Sequence, residues 1–159
     1  MRAELGCREA ETAVLGAAML APTQAASVLA GLTADDFTDP RYRDVFDAVR
    51  ALLGDAAAPD PVAVLGQLRR TGVLSATTDR SAGVLIHDLI TSCPVPAGAR
   101  EYRRIVVEHA YRRTARTAFE RIAQAAESAP LSTCQQVVAD GLRTTIAALR
   151  RCDRSEGHK

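Results

Sequence analysis

Residues 37–53 read FTDPRYRDVFDAVRALL, and the fold turns on them. Asp39 stands at a helix start, where its carboxylate accepts a hydrogen bond from a first-turn N–H, and Pro40 follows where a missing N–H costs nothing. Tyr42, Val45, Phe46, Val49, Leu52 and Leu53 then recur at intervals of three, four and seven, while Arg41, Arg43, Asp44, Asp47 and Arg50 fall on the other side. One wide apolar stripe with a polar back is a helix laid on a core. Two of the chain's three Phe and one of its three Tyr lie here, and large rings bury more area than the Ala-rich surroundings do. This helix is therefore predicted to be the centre of the first hundred residues.

Before it, Glu9 to Leu20 (EAETAVLGAAML) strings together good helix formers, and Ala10, Ala13, Val14 and Ala17 mark a face of small side chains that lets helix axes come close. Pro22 breaks the chain, Thr23 is a candidate cap, and Val28, Leu29 and Leu32 predict a short helix that Gly31 terminates. After it, GDAAAPDP is a loop whose Asp60-Pro61 repeats the cap-then-proline signal, with Val62, Leu65 and Leu68 as the predicted inner face of the next helix. Gly72 ends that helix, and Val73 and Leu74 fold back onto its last turn. Asp79 is the candidate cap of a fifth helix carrying Ala82, Leu85, Ile86 and Leu89, which Cys93-Pro94 closes. Residues 9–95 thus form a helical globule.

From Ala99 to Ser128 there is no Pro or Gly, which predicts a helix of about 45 Å at about 1.5 Å per residue. Pro130 stops it. Ser132 and Gln135 fit a capping box for a last helix with Val138, Leu142, Thr145, Ile146 and Leu149 on one side. Two long helices joined by a few residues pack antiparallel, so residues 96–150 are expected to form a hairpin and 151–159 a flexible tail or the start of a linker. The fold class is all-α, a globular bundle followed by a long helical hairpin.

Tyr102, Ile105, Val106, Phe119, Ile122, Ile146 and Leu149 are available for the inner seam of that hairpin. A pair of helices standing beside a closed globule has too little of its own to bury on both sides, so part of its surface is expected to meet another chain. The alternative is that it folds back onto the globule as part of one bundle. Helical spacing selects Tyr102, Val106, His109, Arg113 and Phe119, with Ile146 and Leu149 opposite, as the interface for self-association or a partner.

With 159 residues, 47% of them apolar and 25% charged, the chain fits one ordinary domain, or one domain with an appended element, and is long enough to bury a core. No apolar run approaches the roughly 20 residues of a membrane span. The N-terminal MRAELGCREAE carries acids where a signal peptide needs a basic patch and an apolar stretch, so the expected location is cytoplasmic. Cys7, Cys93, Cys134 and Cys152 stand far apart with no CxxC or HxxxH, a pattern of reduced thiols and not of a zinc site. No catalytic residue, metal or cofactor is expected. His87 and His109 sit beside apolar positions, Asp35-Asp36 have a simpler role near a helix start, and no Ser–His–Asp spacing emerges.

Charge is divided. Residues 1–96 hold 8 Arg against 12 acids, net −4, while residues 97–152 hold 10 Arg against 5 acids, net +5. Arg neutralises phosphates, so a second class of function is nucleic-acid binding through the basic hairpin, with Arg112, Arg113 and Arg116 as candidate contacts. Against it, Glu101, Glu108, Glu120 and Glu127 share that helix at spacings typical of surface ion pairs, and rings suited to base stacking are few.

The order of pieces resembles the N-terminal domain of the bacterial replicative helicase family, the DnaB type. The segments that carry the resemblance are EAETAVLGAAML, DDFTDPRYRDVFDAV, LGQLRRTGVL and PVPAGAREYRRIVVEHAYRR, in that order with small gaps, covering roughly residues 9–120. The resemblance implies a helical globule followed by a hairpin, hairpins that pair between subunits, and a collar around the helicase ring that binds primase or loader proteins. The chain departs from a full helicase in having no GxxxxGK[ST] phosphate loop and no room for the ATPase module that would carry it, so ATP hydrolysis and strand separation by this chain alone are excluded. Asp79-Arg80 replaces a Gly pair usual in the family. The expected function is a non-enzymatic interaction and oligomerisation module of DNA replication whose partners are copies of itself, the replicative helicase, primase or a loader, touching DNA only indirectly or weakly. A free-standing regulator of the helicase is the variant of that reading.

Overall fold

A computed structural model describes the backbone of residues 2–72 and 79–156 and the side chains of residues 6–72 and 81–152. Among these residues lie seven α-helices and no strand. They are α1 (Arg2–Leu20), α2 (Ala25–Val28), α3 (Pro40–Gly54), α4 (Pro61–Arg70), α5 (Asp79–Thr91), α6 (Ala99–Ser128) and α7 (Leu131–Glu156), with 3₁₀ turns at Pro22–Gln24, Ala34–Asp36 and Pro96–Gly98. The all-α class expected from the sequence is the class observed. The chain divides into two compact units, Met1–Val106 and Val107–Lys159, so α6 gives its first two turns to the first unit and the rest to the second.

The first unit is built around α1, not α3. Every residue from Ala13 to Met19 is buried, and α1 packs against α2, α3, α4, α5 and the Pro96–Gly98 turn. A helix apolar all round is a central helix. What makes this one central is the smallness of its side chains: a Cβ on Gly16 would lie 2.2 Å from the Leu89 carbonyl oxygen and 2.9 Å from Cys93 Cβ, so α5 approaches more closely than any side chain permits. The large rings of α3 had pointed to the wrong centre because they mark a helix that buries one stripe. That stripe is as read: Tyr42, Val45, Phe46, Val49 and Leu52 are buried, Leu53 is half-buried, and the Phe46 ring meets Phe37 at 5.3 Å between centroids.

Both Asp-Pro starts are as expected. Asp39 accepts from the Arg41 N–H, and Asp60 from those of Val62 and Ala63. Gly31 and Gly72 take left-handed backbone at φ 78° and 70°, which turns the chain after α2 and α4. Three local expectations fail. Thr23 lies inside the Pro22–Gln24 turn, and Gln24 precedes α2 with no side-chain cap. On α4, Val64 and Leu68 are buried while Leu65 is half-buried and Val62 is 80% exposed, because four apolar residues in eight fit two stripes and packing chose the i, i+4 pair. The capping box at Ser132 does not form: the Pro130 carbonyl accepts the Cys134 N–H at 2.9 Å, so Pro130 is the cap and Ser132 falls within the first turn. The fold-back of Val73 and Leu74, the cap at Asp79 and the Asp79-Arg80 departure lie outside the described residues or side chains.

In the second unit α6 and α7 run antiparallel, since Gly141 meets Ile122 and Ala118 while Cys152 Sγ lies 3.8 Å from the Val107 carbonyl oxygen. The seam between them is made of small residues. Ala110, Thr114, Ala118, Ile122 and Ala125 supply the α6 side, and Cys134, Val138, Gly141, Thr145, Ala148 and Cys152 recur at four and three along α7. Only Ile122 of the expected seam is found there. Tyr102, Ile105 and Val106 belong to the first unit, and Phe119, Ile146 and Leu149 are exposed.

Candidate functional site

Five large apolar side chains of the second unit stand in solvent: Phe119 on α6 and Leu131, Leu142, Ile146 and Leu149 on α7, between 44% (Leu149) and 75% (Leu131) exposed. Phe119, Leu142, Ile146 and Leu149 each come one residue after a seam position, namely Ala118, Gly141, Thr145 and Ala148. One residue is about 100° of helix rotation. Because the helices are antiparallel, that step turns a residue of α6 and a residue of α7 to the same side of the pair. Leu131, eleven residues before Leu142, falls within about 20° of it on α7. All five therefore share one side, where Ala115, Ala123 and Ala126 surround Phe119 with small side chains. The residues one step before the seam are His109, Arg113, Thr117, Arg121 and Gln124 on α6 and Thr133, Val137, Asp140, Thr144, Ala147 and Arg151 on α7, so the other side is mainly polar, with the half-buried Val137 its one large aliphatic side chain.

Charge borders the apolar side, with Arg116 about 60° round α6 from Phe119 and Arg150 about 40° round α7 from Ile146. Arg112, about 20° round from Phe119, is bonded to Glu108 one turn earlier. Elsewhere Arg104 grips Glu101 at 2.6 Å and holds its carboxyl below the usual carboxylate range, and Arg143 pairs with Asp140.

Of the residues selected from the sequence, Phe119, Ile146 and Leu149 are brought to this face. Val106 is buried in the first unit, which takes it out of any exposed surface, and Tyr102 is half-buried there with its ring against Gly98. His109 and Arg113 are half-buried and lie about 80° and 120° round α6 from Phe119. Arg112 and Arg116 are exposed, with Arg112 engaged by Glu108. Leu131 and Leu142 were missed as site residues, although Leu142 stood in the expected stripe. The signal for Leu142 was its spacing of four and seven to Ile146 and Leu149, and for Leu131 its spacing of eleven to Leu142.

The sequence reading also missed Glu11, a wholly buried carboxylate on α1. It accepts the Thr38 N–H at 3.0 and 3.1 Å, the Thr38 hydroxyl at 2.9 Å and the Cys7 thiol at 3.4 Å. Arg43 Nε donates to the Phe37 carbonyl at 2.9 Å, and Asp36 accepts the Thr33 N–H and hydroxyl. This polar knot pins the start of α3 to α1. Its signal in the sequence was an acid three, four and seven residues before Val14, Leu15 and Ala18, on the face that should be apolar.

Burial pushes the Cys93 thiol up, away from the reactive thiolate. Among the described residues no group of three or more His, Cys, Asp or Glu could hold a metal, and no helix is long and apolar enough to cross a membrane.

A first unit of short helices closed on a small-residue helix, then a two-helix pair with one unpartnered apolar side, is an all-α domain of the replicative-helicase kind. The chain belongs to the DnaB-like helicase N-terminal domain family, whose family model matches residues 6–108. It is 32% identical over 150 residues to the replicative DNA helicase DnaB of Mycobacterium leprae, a match covering 94% of this chain and 24% of that protein. The Leifsonia xyli helicase of the same name is 32% identical over 116 residues, covering 72% of this chain and again 24% of the relative. The chain thus spans about a quarter of the length of these relatives. The crystal structure of the N-terminal domain of DnaB helicase from Mycobacterium tuberculosis superimposes with a TM-score of 0.74 at 31% identity, covering 87% of this chain and 95% of that one. What the chain carries is a helicase N-terminal domain and not the ATPase module.

Proposed function

We propose that this chain is a non-enzymatic pairing module of the replication machinery, which associates with a second copy of the same domain through the Phe119–Leu142–Ile146–Leu149 face. The observation that carries this is that every large apolar side chain exposed on the second unit, among the described residues, lies on one side of the helix pair. A face of that kind is costly in water unless covered. A second copy suits it: the large Leu142, Ile146 and Leu149 of α7 and Phe119 of α6 stand beside the small Ala115, Ala123 and Ala126, so a two-fold related copy can set large side chains against small ones, and the neighbouring Arg112 is already bonded to Glu108 within the chain. The family resemblance adds the wider setting, a cytoplasmic collar of paired domains on a DNA helicase that docks primase or a loader. The Arg–Glu pairs of α6, Arg104–Glu101 and Arg112–Glu108, give no comparable support to a nucleic-acid surface.

The test is co-purification of the tagged chain with its host's full-length replicative helicase and, separately, with its primase. Capture of the helicase, lost in a Phe119→Glu/Ile146→Glu chain, is the expected result; a chain that captures neither protein contradicts the proposal.

A further inference from the structure

We infer that Gly141 is the positioning residue of this docking face: by letting α7 lie directly against Ile122 and Ala118, it brings Phe119 of α6 and Leu142 of α7 level and close enough to form one surface. The inference rests on the proposed pairing and adds which buried residue governs it. Glycine in mid-helix loosens a helix, so its place on α7 calls for a reason in packing. The reason is spatial. A Cβ at position 141 would stand 2.9 Å from the Ile122 terminal methyl Cδ1, 3.3 Å from Ile122 Cγ1 and 3.6 Å from the Ala118 Cβ, so a single methyl only turns the Ile122 end aside whereas a longer side chain has Ala118 in its way as well. Of the nine glycines whose surroundings are described, only this one abuts the partner helix of the hairpin. Its next residue is Leu142, and the next residue after Ala118 is Phe119, so this close point of the seam lies one residue from a large apolar side chain of each helix on the same side of the pair.

A larger residue at 141 therefore widens the seam at that point and parts the two halves of the face without touching any side chain on it. Self-association is measured by sedimentation equilibrium of the full chain, with helix content followed by circular dichroism. The Gly141→Leu chain is expected to keep its helix content and to associate about tenfold or more weakly. Adding Ile122→Ala, which returns the lost room, is expected to restore association. Should Gly141→Leu not fold, Gly141→Val carries the test: its branched side chain meets Ala118 as well as the Ile122 end, so association weakens severalfold while helix content holds. Undiminished association in the substituted chain, or no recovery with Ile122→Ala, overturns the role of Gly141 and leaves the docking face standing. A wild-type chain that is monomeric at every concentration overturns the docking face itself.

Discussion

Glu11 is the residue on which the first unit's geometry depends most sharply. A buried carboxylate with no apolar alternative for its partners is costly to lose, because truncation leaves the Thr38 N–H and hydroxyl unsatisfied under the start of α3. Glu11→Ala is expected to lower stability by about 3 kcal/mol in urea unfolding, and Glu11→Gln by less, since the amide oxygen still accepts one of those bonds. Asp39 acts at the surface end of the same turn. The Arg41 side chain, with help from its N–H, holds the Asp39 carboxyl below the usual carboxylate range. A depressed carboxyl contributes stability that is fully present above the ordinary Asp value and is lost as pH falls through the depressed one. Thermal unfolding followed into the acid range should therefore show a loss for the wild type that Asp39→Asn lacks, and Asp39→Ala should cost about 1 kcal/mol at neutral pH.

At the scale of elements, α1 and α5 are joined through Gly16, whose missing Cβ makes room for the Leu89 carbonyl. Gly16→Ala places a methyl against backbone that has no rotamer to yield, so a cost of about 2 kcal/mol is expected in denaturant unfolding despite the better helix propensity of Ala. On α4, Leu68→Ala should cost about 3 kcal/mol and Val62→Ala less than about 0.5, because only the first fills the core. These elements also mark what could be read from the sequence. The starts of α3 and α4 were legible to the residue, and so was the turn after α4, since Asp-Pro and the left-handed Gly72 are local chemistry. Which helix lies at the centre was not: periodicity names a face, but the close approach at Gly16 is a property of two segments more than seventy residues apart in the chain. The same limit explains the proposed docking face. Phe119, Ile146 and Leu149 could be named as apolar, yet their large side chains suggested the inside of the hairpin, and only the small residues Ala118, Gly141 and Ala148 reveal which side is in.

At the scale of the whole molecule, the proposed pairing rests on how a two-helix pair comes to leave its large apolar side chains on one side. Small residues close α6 on α7 and leave the large ones outside, so the pair is internally complete and still exposes apolar side chains on one side. In the relatives the matched segment is about a quarter of a longer helicase. The most direct test is sedimentation equilibrium of the wild-type chain and of an Ile146→Glu chain over a wide concentration range. A reversible dimer for the wild type, and a helical, folded monomer for Ile146→Glu, are the results this account predicts. A wild type that stays monomeric throughout, or an Ile146→Glu chain that pairs as tightly as the wild type, would contradict it.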